Sequence, residues 1–338
     1  MRAYRLSTPG SIDGLVEAEL PMPKPGHRQV LVKVAACSLN YRDLAIALGK
    51  YRMPVKPDLI PLSDGAGEVV EVGPGVARVK VGDRVAGNFG QRWHGGRSPA
   101  ENADATLGGA IDGMLAEYVL LEEDGTVKLP DHLSFEEGAT LPCAAVTAWN
   151  ALVEHGEIRA GDTVLVQGTG GVSIFALQIA RMFGARVIAT SSSDEKLARA
   201  KALGAADGIN YKLRPDWDQA ALELTGGRGV DHVVEVGGAG TITRSLGAVA
   251  PGGRVSMIGV LTAPTNDFNP MMIMAKRASL RGIFVGSTQM FEGLGRALAA
   301  NGVKPVIDRS FGWGEVRDAY RHMQSAAHFG KIVITVGR

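Results

Sequence analysis

The sequence has little cysteine and almost no excess of either charge. Its 338 residues include two cysteines, Cys37 and Cys143, too few for a disulfide framework or a structural zinc cluster. Both lie in apolar surroundings, where we expect a buried and inert thiol. Lysine and arginine number 36 against 35 acidic residues, a net charge of +1 that indicates no basic face for nucleic acid.

Signals that direct a chain to a membrane are also missing. No uninterrupted apolar run approaches the roughly 20 residues that span a bilayer. The N-terminal MRAYRLSTPG lacks the apolar core of a signal peptide. We therefore expect a cytoplasmic protein that has neither a membrane nor a nucleic acid as partner. The length suits two domains better than one core.

The first part of the chain predicts a β-rich domain. Short Val-rich runs occur at 29–40, 66–72, 82–87 and 114–121, and Gly-Pro-Gly and Gly-Asp turns separate them. This pattern is typical of a compact barrel of antiparallel strands. Between the runs lies a polar, Gly-rich stretch at 88–113, and loops of that length usually serve a function or are mobile.

After Pro130 the pattern changes to alternating helices and strands. Ser134, followed by two acids, predicts a helix N-cap. From Asp162 onward, helices separate six short apolar strands, which predicts a parallel, doubly wound sheet. The strands are TVLVQG, ARVIAT, ADGINY, DHVVEV, RVSMIGV and SLRGIFVG.

The tail adds two helices and a last strand, FGKIVITVG. We expect this strand to return to the β-rich domain, so that the parallel sheet is an insertion within it. The predicted domains are a β-rich domain over 1–128, completed by 290–338, and a dinucleotide-binding domain over 129–289.

The strongest motif is a glycine-rich turn between the first of the six strands and the next helix. Gly168, Gly170, Gly171 and Val172 form this turn, and Ser173 takes the place of the third glycine of a G-x-G-x-x-G fingerprint. Glycines allow a diphosphate to approach the backbone, and the helix N-terminus supplies amide donors. Such a turn alone is weak evidence, and a merely structural turn is the alternative. The strands and helices around it favour a Rossmann dinucleotide site.

Cofactor choice is determined at the end of the second strand. NAD sites usually have an acid there, but this strand ends in Ser191, Ser192 and Ser193. Hydroxyl groups and cations suit a 2′-phosphate. Tyr211 could supply a hydroxyl group and Lys196 a cation. The alternative is that the serines only cap the next helix and that Lys196 is solvated. The missing acid favours NADP(H).

Together these motifs resemble the medium-chain dehydrogenase/reductase family over nearly the whole chain. The family's N-terminal signature resembles VVEVGPGVARVKVGDRVAG, its cofactor signature QGTGGVSIFALQIAR, and its later strands DHVVEVGG, GGRVSMIGV and FGKIVITV. The resemblance implies an α/β fold in which a GroES-like β-barrel catalytic domain contains an inserted Rossmann domain. It also implies a nicotinamide cofactor, a small-molecule substrate and a homodimer.

Zinc-dependent members of that family hold the metal with a cysteine, a histidine in a G-H-E motif and a later cysteine. At the matching positions this chain has Asn40, Ser63 and Cys143. Catalytic zinc needs three protein ligands, so we expect no metal. The stretch 88–113, where a structural zinc would be held, has no cysteine, and His94 is isolated there.

The resemblance is therefore to the zinc-independent, quinone-oxidoreductase-like branch, whose members reduce quinones, enones or related double bonds with NADPH. Asn40 matches an active-site asparagine of that branch, and Tyr51 matches a tyrosine that serves enoyl reductases as a proton donor. Tyr41 is the nearby competitor, and pocket lining or core packing is the alternative for both tyrosines. The remaining cofactor matches are Thr147 beside the nicotinamide, Gly237, Gly259 and Ser287 at strand ends, and Lys331 near the pyrophosphate, with Asp64 as its partner.

Three functions remain open from the sequence. The favoured one is NADPH-dependent reduction of an activated C=C bond or a quinone, because such a substrate spreads developing charge onto oxygen without a Lewis acid. The second is alcohol or carbonyl dehydrogenation, with or without residual metal. The third is a nucleotide-binding protein with a structural or RNA-contacting role and little turnover.

Overall fold

The computed structural model describes residues 1–262 and 268–337 and divides into two compact units. The first unit comprises residues 1–146 and 285–338, and the second comprises residues 147–284. The second unit is therefore an insertion within the first. This division is the one expected from the sequence, although the boundaries lie at other residues.

The regular elements alternate along the chain and are numbered here in chain order. The strands are β1 (Arg2–Leu6), β2 (Leu15–Glu19), β3 (Gln29–Leu39), β4 (Asp64–Val72), β5 (Arg84–Gly87), β6 (Tyr118–Glu122), β7 (Thr126–Lys128), β8 (Thr163–Gln167), β9 (Arg186–Ser191), β10 (Asp207–Asn210), β11 (Val230–Glu235), β12 (Val249–Met257), β13 (Ser279–Gly282), β14 (Ile307–Phe311) and β15 (Lys331–Thr335). The α-helices are α1 (Tyr41–Ala47), α2 (Phe135–Ala139), α3 (Val146–Trp149), α4 (Gly171–Met182), α5 (Asp194–Ala202), α6 (Trp217–Leu224), α7 (Ile242–Ala248), α8 (Met271–Lys276), α9 (Thr288–Asn301) and α10 (Val316–Gln324).

Helix α2 accounts for part of the difference between the predicted boundary at residue 128 and the observed one at residue 146. The predicted N-cap at Ser134 is confirmed: its hydroxyl accepts a hydrogen bond from the Glu137 amide, and the Glu137 carboxylate accepts one from the Ser134 amide. This capping box starts α2 where the sequence placed it. The helix then packs on β3, β4, β5 and β15, so it belongs to the first unit.

The main sheet of the first unit is built around the long strand β3. Its order is β14-β15-β3-β4-β5-β7, and β6 also pairs with β3. Every pair except β14–β15 is antiparallel, as the sequence predicts for this unit. The last strand, β15, joins this sheet, which confirms that the chain returns to the β-rich domain.

The register of the main sheet gathers three chain segments at one edge. Leu39, at the end of β3, lies opposite Ile332 of β15, and Ser38 lies opposite Asp64 of β4. Antiparallel pairing therefore puts the carboxyl end of β3 beside the first residues of both neighbouring strands. The segment that follows β3 and opens α1 begins at this edge.

The second unit is a six-stranded parallel sheet in the order β10-β9-β8-β11-β12-β13. All six strands predicted from the sequence are present, and helices separate β8 to β13 along the chain. The doubly wound prediction is confirmed. Because parallel strands end at the same edge, the loops after β8, β9, β10, β11 and β12 lie along one edge of this sheet.

No α-helix in residues 1–262 or 268–337 combines the length and the apolar character needed to cross a membrane.

Substitutions of Ser173 test how α4 packs on the parallel sheet. Its side chain is buried, and its hydroxyl donates a hydrogen bond to the backbone carbonyl of Gln167 at 2.6 Å. We expect Ser173→Ala to cost about 1 kcal/mol of unfolding free energy through the lost hydrogen bond. Ser173→Leu should cost about 1–3 kcal/mol or more, because the larger side chain overpacks the contact. Urea unfolding measures both, and an unchanged midpoint for Ser173→Leu would contradict this packing.

Candidate active site

A polar cluster forms at the edge where β3, β4 and β15 meet, and all its members are buried except Cys143, which is half-buried and not fully buried as the sequence suggested. We call it the Lys331 cluster, and it comprises Asn40, Ser63, Asp64, Cys143 and Lys331. The Lys331 ammonium group donates to Oδ1 of Asn40 at 2.6 Å and to the Leu39 carbonyl at 2.7 Å. The same ammonium group lies 3.7 Å from Asp64 Oδ2. The pairing of Lys331 with Asp64 that the resemblance implied is therefore present.

Hydrogen bonds within the cluster fix the two carboxylate oxygens of Asp64. Oδ1 accepts from the Ser63 hydroxyl at 2.8 Å, and Oδ2 accepts from the Cys143 backbone amide at 3.2 Å. Burial raises the pKa of Asp64, and the ammonium group of Lys331 opposes this effect. A buried carboxylate and a buried ammonium group therefore stabilise each other at this edge of the sheet.

Asp43 holds the start of helix α1 and is a residue that the sequence analysis missed. Its Oδ2 accepts a hydrogen bond from the Asn40 backbone amide at 2.7 Å, and Asn40 is the N-cap of α1. Burial raises the pKa of Asp43 to about 6, and the Arg42 guanidinium group opposes the effect. The acid three residues after an asparagine N-cap is the signal that could have identified it.

The side chains of the Lys331 cluster do not fit a catalytic zinc ion. Asn40 offers a neutral amide, and its oxygen already accepts from a fixed ammonium cation. Desolvation, with the Asp64 carboxylate in support, raises the pKa of the Cys143 thiol, and Ser63 offers only a neutral hydroxyl that already donates to Asp64. Within residues 1–262 and 268–337 no group of three or more His, Cys, Asp or Glu side chains is arranged to hold a metal.

Tyr51 and Tyr41 have different environments in the first unit. Tyr51 is half-buried, and its hydroxyl oxygen accepts a hydrogen bond from Arg42 Nε at 3.2 Å. The Arg42 guanidinium group also lies over the Tyr51 ring, 5.3 Å from the ring centroid. Tyr41, the first residue of α1, is 55% exposed. The core-packing alternative therefore does not hold for Tyr41, and the catalytic role of either tyrosine stays a prediction.

The glycine turn between β8 and α4 has the geometry that a diphosphate needs. Gly168 has φ +70°, which favours glycine, and Gly170 is the N-cap of α4. A Cβ atom added at either glycine would meet no atom of the described residues within 4 Å. The turn is therefore open beside the helix N-terminus, where Gly171 and Val172 begin α4. These residues fit the diphosphate of a dinucleotide.

A buried carboxylate organises the loop after β11, and the sequence analysis did not single it out. Glu235 is fully buried and accepts hydrogen bonds from the backbone amides of Gly237 at 2.7 Å and Gly238 at 2.8 Å. Gln167, at the end of β8, donates to Glu235 at 2.8 Å and accepts from the Gly237 amide at 3.2 Å. This network links the ends of β8 and β11 and fixes the backbone between them.

The ends of β9 and β10 bring together the residues expected to select the cofactor. The Tyr211 amide donates to the Ser191 carbonyl at 3.0 Å, and Tyr211 is 42% exposed. The Ser193 hydroxyl accepts from the Lys196 amide, so it caps α5, which bears out part of the alternative. The nearest acid, Asp194, accepts from the Asn210 amide group at 2.8 Å.

Three further predicted cofactor contacts lie in the second unit. Gly237 and Gly259 follow the ends of β11 and β12, as expected. A Cβ atom at Gly259 would lie 2.1 Å from the Val236 carbonyl oxygen, so close packing of the two loops already requires this glycine. Thr147 is buried in α3. Their contacts with a cofactor stay predictions.

Two predicted positions differ from the structure. Ser287 does not end a strand of the parallel sheet: it is buried in the first unit as the N-cap of α9, where its hydroxyl accepts from the Met290 amide. Lys331 is only 2% exposed, and its ammonium group is held by Leu39, Asn40 and Asp64. This burial does not suit a contact with pyrophosphate, and it makes Lys331 part of the polar cluster.

Both halves of the fold match known family models. Residues 26–131 match the model described as an alcohol dehydrogenase GroES-like domain. Residues 171–300 match the model described as a zinc-binding dehydrogenase.

The proteins similar to this chain include some named as alcohol dehydrogenases and some named as quinone oxidoreductases. A zinc-type alcohol dehydrogenase-like protein of Schizosaccharomyces pombe is 45% identical over 328 residues, which cover 95% of this chain and 94% of the relative. The quinone oxidoreductase of Homo sapiens is 30% identical over 344 residues, 99% of this chain and 97% of the relative. The crystal structure of an NAD-dependent alcohol dehydrogenase has a TM-score of 0.91 and 34% identity, with 100% of both chains covered.

The glycine turn can be tested by paired substitutions. Gly168 and Gly161 both have positive φ, +70° and +86°, and both have space for a Cβ atom among the described residues. Gly161 precedes β8 and so lies at the opposite edge of the sheet. We expect alanine at either position to cost about 1–3 kcal/mol of stability. Only Gly168→Ala should weaken nucleotide binding, by about tenfold or more, or ~1.4 kcal/mol.

Isothermal titration with NADPH measures the affinity, and thermal unfolding measures the stability of both variants. Equal affinities of Gly168→Ala and Gly161→Ala would contradict the assignment of this turn to the diphosphate.

Proposed function

This chain belongs to the medium-chain dehydrogenase/reductase superfamily, in its quinone-oxidoreductase-like branch, and on that basis we propose that it is a zinc-independent, NADPH-dependent reductase of activated C=C bonds or quinones. The observation that carries the proposal is the 2.6 Å hydrogen bond from the Lys331 ammonium group to Oδ1 of Asn40. A fixed cation is thus bonded to Asn40, the residue at the first position where zinc-dependent relatives have a metal ligand.

The Lys331 bond has a consequence for the chemistry of Asn40. Because Oδ1 is engaged by Lys331, the orientation of the amide is fixed and its –NH2 group points away from the ammonium group. That –NH2 group lies 3.5 Å from the Ser63 hydroxyl and also hydrogen-bonds to the Asp64 carboxylate. Polarisation by the ammonium group strengthens an N–H donor. An amide –NH2 group has two N–H bonds, so we assign one of them as a donor to a substrate oxygen on which negative charge develops.

The substrate class is inferred from how strongly Asn40 and Tyr51 can stabilise negative charge on a substrate oxygen. A reduced nicotinamide dinucleotide, when bound, supplies a hydride. The chain supplies a neutral amide donor at Asn40 and a phenol at Tyr51, and neither is a Lewis acid. In a quinone or α,β-unsaturated carbonyl compound, conjugation already carries the developing charge to oxygen, so such donors suffice. Tyr51 is assigned as the proton donor and Asn40 as the donor to the carbonyl oxygen.

The preference for NADPH is proposed from the end of β9. Ser191, Ser192 and Lys196 are assigned to the 2′-phosphate, and Tyr211 supplies an exposed hydroxyl one strand away. Hydroxyl and ammonium donors suit a phosphate group, whereas an NAD site usually has an acid at this point. The acid that does follow, Asp194, is engaged by Asn210.

Alcohol or ketone dehydrogenation is the second candidate, because one similar protein is named an alcohol dehydrogenase-like protein and another an alcohol dehydrogenase. The two candidates require different substrates. Only the first needs a conjugated acceptor.

A cofactor-oxidation screen separates the two functions. Purified protein is assayed with NADPH and NADH over quinones, 2-alkenals, enones and simple ketones, and with alcohols in the reverse direction. We expect oxidation of NADPH with at least one conjugated acceptor. Asn40→Ala should lower kcat by about 10²-fold, because one preorganised donor is lost, with the Kd of NADPH unchanged.

The proposal fails if turnover is confined to simple ketones and alcohols. It also fails for Asn40 if the alanine variant keeps the wild-type kcat.

The cofactor preference can be tested with two lysines of α5. Lys196→Met should raise the Kd of NADPH by about tenfold, the equivalent of roughly 1.4 kcal/mol, and leave that of NADH unchanged. Lys201→Met, in the last turn of the same helix, is the matched control and should change neither. An equal loss for both cofactors on substitution of Lys196 would contradict a 2′-phosphate contact.

A further inference from the structure

The hydroxyl group of Tyr51 has one hydrogen-bond donor and one hydrogen-bond acceptor as neighbours. Arg42 Nε donates a hydrogen bond to the phenol oxygen at 3.2 Å, and the hydroxyl in turn donates to Met53 Sδ at 3.5 Å. The Arg42 guanidinium group therefore occupies a lone pair of the phenol oxygen, and the phenolic proton points away from Arg42 toward Met53. A thioether sulfur is a weak acceptor, and Met53 is 42% exposed. The Tyr51 hydroxyl can therefore exchange its hydrogen bond to Met53 for one to a stronger acceptor at little cost in free energy.

Contacts on every side hold the Arg42 guanidinium group in place. Nη1 donates to the Leu107 carbonyl at 2.7 Å and Nη2 lies 3.5 Å from the Thr106 hydroxyl. The group also lies over the ring of buried Phe89, 4.6 Å from its centroid. Such planar stacking with directed hydrogen bonds suits arginine and not lysine.

Gly109 is the residue that makes room for this arrangement. A Cβ atom at position 109 would lie 1.9 Å from Arg42 Nη2, which is far inside van der Waals contact. The chain therefore has a glycine where the loop backbone passes the guanidinium group. Substitution of Gly109 displaces Arg42 without any change of charge.

We propose that Arg42 is a positioning residue that aims the Tyr51 proton at the substrate and stabilises the phenolate left behind. This inference rests on the function proposed above. When hydride adds to the β-carbon of a conjugated substrate, the electron pair of the C=C bond moves toward the carbonyl group. The α-carbon then takes the proton from the Tyr51 O–H bond, whose electron pair stays on the phenol oxygen. Solvent returns a proton to Tyr51 at the end of the cycle.

A double-mutant cycle tests whether Arg42 acts through Tyr51. General acids contribute about 10²–10⁴-fold, so Tyr51→Phe should lower kcat by about 10²-fold. Arg42→Met should lower kcat by about 10-fold in the wild-type background and leave it unchanged in the Tyr51→Phe background. The solvent deuterium isotope effect on kcat should rise in Arg42→Met. Arg52→Met removes an exposed arginine next to Tyr51 and serves as the charge control.

Additive losses in the double variant would overturn the proposal, and so would a Tyr51→Phe variant with full kcat. Gly109→Ala should reproduce the kinetic effect of Arg42→Met, because it displaces the guanidinium group. An unchanged kcat and isotope effect in Gly109→Ala would also count against the proposal.

Crystal structures without nucleotide give a measurement that does not depend on turnover. In the wild type we expect the Tyr51 hydroxyl within hydrogen-bonding distance of Arg42 Nε, and in Arg42→Met we expect it displaced. The same hydroxyl position in both proteins would overturn the positioning role even if no substrate is found. A wild-type enzyme that oxidises NADPH with none of the conjugated acceptors would contradict the proposed function and leave this structural comparison decisive for Arg42.

Discussion

The ammonium group of Lys331 lies in the interior of the first unit, and its hydrogen bonds determine what the neighbouring side chains can do. Removing a lysine and an aspartate from water costs several kcal/mol per ion, and their mutual attraction and hydrogen bonds must offset that cost. Lys331 and Asp64 have those partners in Asn40, Leu39, Ser63 and Cys143. We propose that the same bond to Asn40 makes this end of the strands unsuitable for a zinc ion.

The two units solve the problem of burying polar groups in related ways. In the first, antiparallel pairing brings the end of β3 beside the starts of β4 and β15, and a charge pair fills the space. In the second, Glu235 and Gln167 connect the ends of two parallel strands and fix the loop backbone by hydrogen bonds. In the first unit, the buried Lys331 also fixes the orientation of the Asn40 amide, which is what the proposed catalytic role of Asn40 requires.

Much of the fold could be predicted because its signals are local. The six parallel strands, the cap at Ser134 and the small residue at Ser173 follow from periodicity and spacing within a few residues. The contacts within the site could not be predicted, because Lys331 and Asn40 are 291 residues apart in sequence and meet only through strand register. Ser287 was misplaced for a related reason: a serine before a helix and one after a strand look alike in sequence.

Metal analysis of the purified protein tests the central claim most directly. The chain is produced in zinc-supplemented medium, purified without chelators and measured by plasma mass spectrometry beside its Lys331→Met variant. We expect no zinc above the level of a protein blank in the wild type, because the Lys331 ammonium group and the neutral Asn40 amide exclude it. One zinc ion per chain, lost on substitution of Cys143, would contradict this account of the site.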